Sequence, residues 1–136
     1  MTPETARYLE KARTCLEHAR AILAIGLGDE AGRGAYLAGF HAAQAYLFET
    51  TGKGAKTHSG VQSLFVNLAR SDDRIPADLR PFLSQSYHLK AVADYETGPD
   101  ACVPLDRAAA AIERAERFIS SIAEVLAASG SIDTAG

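Results

Sequence analysis

Residues 36–42, which read Tyr-Leu-Ala-Gly-Phe-His-Ala, lie in the middle of a predicted helix that runs from about residue 30 to residue 51. Small side chains occur on several faces of this helix, and large aromatic side chains stand between them. Because small residues allow neighbouring helices to approach closely, we predict that this helix is the centre of a bundle. Asp29 is its predicted N-cap, and Gly52 is its predicted end.

The first and third helices have recognisable starting residues. The first runs from about residue 3 to residue 25, with Thr2 as its N-cap and Pro3 at the first helical position. The third begins at Ser59, which has capping-box spacing with Gln62. In such a box the hydroxyl and the amide each satisfy a free backbone N–H, so we predict Ser59 as the cap.

Prolines bound the last two helices. The fourth begins near Pro76 or Pro81 and ends at about residue 95, before a break at Gly98 and Pro99. The fifth begins at Pro104 and carries an apolar stripe to about residue 126. No segment predicts a strand, and the connections are short. We therefore predict an all-α, antiparallel up-down bundle of four to five helices.

The length and composition fit one soluble domain. The chain has 136 residues, of which 47% are apolar and 23% charged, so a core can form without disulfides or metal. We assign the domain to residues 1–128 and a flexible tail to the Gly- and Ser-rich residues 129–136. The net charge of −3 argues against an extended nucleic-acid-binding surface, although it is compatible with a local basic groove.

Neither a membrane segment nor a metal site is expected. No apolar run approaches the ~18 residues that span a bilayer, and the N-terminus begins a helix rather than a signal peptide, so we expect a cytoplasmic protein. Cys15 and Cys102 lack metal-ligand spacing. No histidine has an acidic residue three positions before it, as a di-iron bundle requires. The phosphate-loop and dinucleotide fingerprints are absent too, so we expect no metal and no cofactor.

Three short motifs resemble those of the HEPN-domain family. Residues 56–60 read Lys-Thr-His-Ser-Gly, which is the usual turn of that family, and residues 90–95 read Lys-Ala-Val-Ala-Asp-Tyr, where the family has Arg-x-x-Ala-Asp-Tyr. The second helix resembles the family pattern Arg-x-Tyr-Tyr-Ala-x-Phe-His-Ala, with Leu37 in place of one Tyr. Gly34 stands where Arg is usual, and Arg33 lies one residue earlier.

The resemblance implies partners as well as a fold. HEPN proteins are commonly homodimers, and many form toxin–antitoxin pairs with a minimal nucleotidyltransferase. It therefore implies one component of such a two-protein system, binding RNA or a nucleotide. The aromatic and small residues of the second helix exceed what one core stripe needs, so Tyr36, Phe40 and His41 are candidate dimer-interface residues.

Two alternatives stay open. The first is a catalytically inert helical interaction module. The second is a metal-independent ribonuclease, whose family signature is Arg followed by His after four to six residues on a late helix. Here Arg13 and His18 match that spacing only on the first helix, and no Arg stands at the required distance before His88. Whether the chain is an enzyme is therefore left undecided, and its catalytic residues are unassigned.

The turn motif and the late motif supply candidate ligands for a phosphate. A helix N-terminus offers free N–H groups and a positive dipole end, and nearby lysine and histidine side chains would add charge. The alternative is that these residues have only structural roles. Ser59 would then be a cap, residues 90 and 94 would form a surface ion pair, residue 58 would be an exposed histidine, and residue 95 would be a packing tyrosine. The candidate nucleotide- or RNA-binding residues are Lys56, His58, Ser59, Lys90, Asp94 and Tyr95.

Overall fold

The computed structural model describes residues 1–98 and 101–135, with side chains described as far as residue 128. Within these residues the chain forms five helices and no strand, which confirms the predicted all-α bundle. Pro99 and Gly136 lie outside the described residues, so the predicted break is seen as the end of the fourth helix and as Gly98, which has a φ of 115°. The helices are α1 (Pro3–Ala24), α2 (Gly28–Thr51), α3 (His58–Ala69), α4 (Phe82–Tyr95) and α5 (Leu105–Ala135).

The centre of the bundle is α2, as its small residues predicted. It packs against α1, α5, α4 and α3, whereas α3 has α2 as its main neighbour. Six of its alanines are completely buried, which places the backbones of its neighbours close to its own axis. Gly39 faces the ring of Phe82, where a methyl group would overlap that ring. The fully buried alanines are Ala31, Ala35, Ala38, Ala42, Ala43 and Ala45.

The two ends of α2 differ in how well they were predicted. Gly52 has a φ of 74°, and its N–H bonds to Phe48 O, so the predicted end is confirmed. The predicted cap at Asp29 is wrong, because α2 already begins at Gly28 with Leu27 at the cap position. Asp29 Oδ1 instead accepts a hydrogen bond from Val103 N at 2.6 Å. That contact secures the chain just before α5.

Thr57, and not the predicted Ser59, caps α3. Thr57 Oγ1 accepts a hydrogen bond from Gly60 N at 3.0 Å, and Ser59 lies exposed in the first turn. The predicted box with Gln62 does not form, since that amide is engaged with Tyr36 on α2. The sequence offers two nearby hydroxyl residues, and the tertiary contact decides between them.

Residues 70–81 join α3 to α4 through a short polar network. Tyr46, buried on α2, donates its hydroxyl proton to Asp72 Oδ2 at 2.8 Å, and Arg74 Nε donates to Asp72 Oδ1 at 2.8 Å. Arg80 donates to the carbonyl oxygens of Ile75 and Asp72. These contacts fix the position at which α4 starts, just after Pro81, the later of the two predicted starts.

The bounds of α5 include part of the segment predicted as a tail. Its helix runs to Ala135 and so contains residues 129–135, whose side chains lie outside the described part of the chain. The division into a domain of residues 1–128 and a flexible tail therefore stays a prediction.

Candidate functional site

Asp94, in the last turn of α4, holds two cations from two helices. Its Oδ1 accepts a hydrogen bond from Arg33 Nε on α2, and its Oδ2 accepts one from Lys90 Nζ, each at 2.8 Å. The hydrogen bond from Lys90 and the charge of Arg33 lower the pKa of Asp94. The carboxylate therefore stays ionised and keeps the two cations together where α2 and α4 meet.

Lys90 is a buried cation rather than half of a surface ion pair. Only 5% of its surface is exposed, so the predicted pair with Asp94 forms but its predicted surface position is wrong. Nζ also donates to Tyr95 Oη at 3.2 Å, and it lies 5.9 Å from the centre of the Tyr87 ring. The hydrogen bond to Asp94 raises the pKa of Lys90 against the effect of burial.

Tyr36 joins α2 to two side chains of α3. Its hydroxyl oxygen is 2.9 Å from His58 Nδ1, and Gln62 Nε2 donates to the same oxygen at 3.1 Å. The Tyr36 hydroxyl has one proton to donate, and it already accepts a hydrogen bond from Gln62. It therefore donates its proton to His58 Nδ1. In this arrangement His58 is neutral and carries its proton on Nε2.

His58 and Lys90 face the same part of the molecule. The His58 ring is half-buried, and its centre lies 4.6 Å from that of Phe40 and 5.9 Å from that of Tyr87. Burial lowers the pKa of His58, and the positive charges of Lys90 and Arg33 lower it further, while Asp94 opposes them. Arg33, His58, Lys90 and Asp94 thus interact electrostatically, and we call them the cationic cluster.

The other candidate ligands lie at the edge of the cluster or away from it. Tyr95 touches the cationic cluster through Lys90, and the residue is 68% exposed. Lys56 and Ser59 are exposed, and neither makes a hydrogen bond or ion pair through its side chain among the described residues. The structure therefore brings four of the six candidates together and leaves Lys56 and Ser59 in solvent beside the start of α3.

The aromatic residues proposed for a dimer interface are covered within a single chain. Tyr36 is completely buried and Phe40 is 5% exposed, because α3 and α4 close over this side of α2. His41 is half-buried, with Nδ1 2.7 Å from Gln44 Oε1. For Tyr36 and Phe40, the expectation that the side chain is surplus to one core is therefore wrong. The dimer itself stays a prediction.

Other sites considered from the sequence gain nothing from the fold. Arg13 and His18 are both exposed on α1. Among the described residues, no three His, Cys, Asp or Glu side chains are placed to hold a metal ion. In the same part of the chain, no helix combines the length and apolarity that crossing a bilayer requires.

Sequence reasoning missed three members of this site. Arg33 was noted only as an arginine one position from its usual place, yet it reaches Asp94 across 61 residues of chain. Gln62 was assigned to a capping box, and Tyr87 was not among the candidates. The signal that could have found Arg33 is its spacing of three from Tyr36, since residues three apart on a helix lie on the same side.

Comparison with known proteins agrees with the fold and the motifs. The model of the HEPN domain family matches residues 5–126. A UPF0332 protein of Gloeobacter violaceus is 30% identical over 127 residues, which cover 93% of this chain and 99% of that protein. The crystal structure of TT1696 from Thermus thermophilus superposes with a TM-score of 0.70 at 23% identity, covering 90% of this chain and 98% of that one. The family match spans nearly all of the bundle that carries these motifs, and the chain therefore belongs to the HEPN domain family.

Proposed function

We propose that the cationic cluster binds a phosphate group of a nucleotide or of RNA. The observation that carries the proposal is how Asp94 holds Arg33. Asp94 accepts a hydrogen bond only from Nε of Arg33. The two terminal nitrogens of Arg33 make no hydrogen bond among the described residues. These nitrogens form the donor pair that matches two phosphate oxygens. The side chain of Arg33 is 40% exposed, so a ligand can reach it.

The charges around Asp94 support an anionic ligand. Arg33 and Lys90 contribute two positive charges and Asp94 one negative charge, so one positive charge remains while His58 is neutral. Burial of Lys90 and partial burial of the neighbouring rings reduce the screening of that charge by water. The exposed ring of Tyr95 beside Lys90 offers a surface on which a base can stack.

The wider role that we propose follows from family membership. Many HEPN proteins are paired with a minimal nucleotidyltransferase, so we assign the chain to a toxin–antitoxin-like pair with such a partner, as a homodimer in the cytoplasm. A catalytically inert interaction module is the competing function. Co-purification with the product of an adjacent nucleotidyltransferase gene would support the pair, and light scattering tests the dimer.

Binding of nucleotide and RNA tests the site directly. Isothermal titration with adenosine 5′-monophosphate (AMP), and fluorescence anisotropy with a short 5′-phosphorylated RNA, should both give saturable binding. Affinity should fall as KCl rises from about 50 to about 300 mM, because each phosphate contact releases counterions. Arg33→Ala should lower the affinity for both ligands roughly tenfold, which is about 1.4 kcal/mol of binding free energy.

A matched control separates the site from overall charge. Arg7→Ala removes the same charge from an exposed arginine in α1, which is paired only with Glu4 among the described residues, and it should leave binding unchanged. Equal losses of affinity in Arg7→Ala and Arg33→Ala would mean that binding depends on net charge and not on this site. If neither ligand binds at low salt, the phosphate site is refuted and the interaction module is favoured.

A further inference from the structure

We propose that the cationic cluster selects a terminal phosphate monoester over an internal phosphodiester, and that His58 takes up a proton when this dianion binds. The inference rests on the proposed function, since it concerns the ligand of the same cluster. It adds the chemical class of the phosphate and the group that responds to it. Three features carry it, namely the charge balance, a reversible hydrogen-bond network, and the stable charges of Lys90 and Asp94 beside His58.

The charge balance favours a dianion once His58 is protonated. A phosphodiester carries one negative charge, whereas a terminal phosphate carries about −1.5 to −2 near neutral pH. Arg33, Lys90 and Asp94 together leave a single positive charge. A proton on His58 raises the total to two, which matches the terminal phosphate. The charges of Lys90 and Arg33 oppose that proton, and a bound dianion would offset them.

The hydrogen bonds of His58 can reverse without loss of a partner. When the ring is neutral, Gln62 Nε2 donates to Tyr36 Oη, and Tyr36 donates to His58 Nδ1. When Nδ1 carries a proton it must donate to Tyr36, and the phenol proton then needs a new acceptor. A half turn of the Gln62 amide supplies its Oε1 for that purpose. Both states are therefore satisfied inside a part-buried network, where an unpaired group would be costly.

Tyr36, Lys90 and Asp94 keep their charge states beside His58, and His41 is the second histidine near it. On α2, burial raises the pKa of Tyr36 to about 12, so it stays neutral. On α4, the hydrogen bond between Lys90 and Asp94 raises the pKa of the first and lowers that of the second, so both stay ionised. The titratable and charged groups around His58 are Arg33, Tyr36 and His41 from α2, and Tyr87, Lys90 and Asp94 from α4.

The experiment compares two adenine nucleotides that differ in phosphate charge. AMP has a terminal phosphate, and adenosine 3′,5′-cyclic monophosphate (cyclic AMP) is a monoanionic diester with the same base. Titration calorimetry at about pH 7.5, in HEPES and in Tris, gives the number of protons taken up, because the buffers differ in ionisation enthalpy. We expect AMP to bind at least about tenfold more tightly than cyclic AMP, with up to one proton taken up.

Two substitutions assign the proton to His58. His58→Asn keeps an oxygen that accepts from Tyr36, and it should abolish proton uptake and reduce the preference for AMP. His41→Asn changes a second half-buried histidine, which is held by Gln44. This variant should keep both the proton uptake and the preference for AMP. Uptake that persists in His58→Asn would place the proton on the phosphate and overturn the inference.

Gln62→Glu provides an independent test of the network. A carboxylate at this position can only accept, so Tyr36 donates to it and His58 Nδ1 donates to Tyr36. The added negative charge then favours the cationic ring, protonated on both nitrogens, over the neutral one. Nuclear magnetic resonance should then show a higher His58 pKa without ligand, and AMP should cause less uptake. Equal affinities for AMP and cyclic AMP without uptake would sink this inference and leave the phosphate site standing. No binding of either nucleotide would remove the proposed function itself.

Discussion

Arg33 Nε donates to Asp94 Oδ1 at 2.8 Å, and this ion pair joins the second helix to the end of the fourth. Asp94 also binds the buried Lys90, so one carboxylate sets the positions of both cations. The late motif of the family and the arginine of the second helix are therefore parts of one site. Changes to any of the three should affect the others, because neighbouring charges are coupled.

Removing the carboxylate should cost more stability than removing the buried lysine. Lys90→Met leaves Asp94 with Arg33 and partial access to water, so we expect a loss of about 1–2 kcal/mol. Asp94→Asn leaves a buried ammonium without its negatively charged partner, and we expect a loss of about 2–4 kcal/mol. Urea unfolding of both variants gives the comparison. The reverse order would show that Lys90 is less confined than its burial indicates.

Gly39→Ala should disrupt the packing between α2 and α4. Its methyl group would overlap the ring of Phe82, which is buried and stacks on Phe118 at 4.9 Å between ring centres. Because neither ring has room to move, we expect a loss of about 2–3 kcal/mol in the free energy of unfolding. Gly54→Ala, in the loop before α3, is the control and should change stability by less than about 1 kcal/mol. Thermal unfolding with equal shifts in both variants would contradict this account.

The sequence predicted the helices well because local signals decide them. Thr2 and Pro3 begin α1, and Gly52 ends α2 through a left-handed conformation that favours glycine. The errors at Asp29 and Ser59 have a different cause. Asp29 accepts a hydrogen bond from Val103, and Gln62, the partner expected for Ser59, donates one to Tyr36. The local capping patterns could not reveal these contacts.

The site was predictable only in part, for a similar reason. The motif resemblance identified His58, Lys90 and Asp94, but it could not show that Lys90 is buried or that Arg33 completes the cluster. Burial of a lysine depends on its charged partner and on the aromatic rings around it. The ion pair between Arg33 and Asp94 joins residues that are 61 apart in the chain, and helical spacing places Arg33 on the same side as Tyr36 without showing which partner it meets.

Stability should fall on mild acidification, and His58 and His41 should account for part of the fall. Burial is the main cause that lowers the pKa of each histidine in the folded chain. Below the unfolded value of about 6.5 the unfolded chain therefore binds protons that the folded chain does not, and the free energy of unfolding decreases as pH falls. Above that pH, both states are neutral and the effect vanishes.

Urea unfolding at about pH 7.5, 6.5 and 5.5 measures this slope. His58→Asn should make the fall between about pH 6.5 and 5.5 shallower, because the group that gains a proton on unfolding is gone. His18→Asn, which replaces an exposed histidine of α1, is the control for the substitution itself. An unchanged slope in His58→Asn would mean that His58 is protonated equally in both states.

Tyr46→Phe should weaken the connection between α3 and α4. The buried hydroxyl donates to Asp72 Oδ2, and the hydrogen bonds from Arg74 and Tyr46 hold the pKa of that carboxyl well below its usual range. Without the hydroxyl, Asp72 keeps Arg74 but loses a charge-assisted hydrogen bond, so we expect a loss of about 1–2 kcal/mol. Tyr8→Phe is the matched control, since its hydroxyl makes no hydrogen bond among the described residues, and it should cost less than about 0.5 kcal/mol. Protease cleavage within residues 70–81 should also become faster in Tyr46→Phe alone. Cleavage at the parent rate, with stability lost, would place the effect in the core around Phe65 instead.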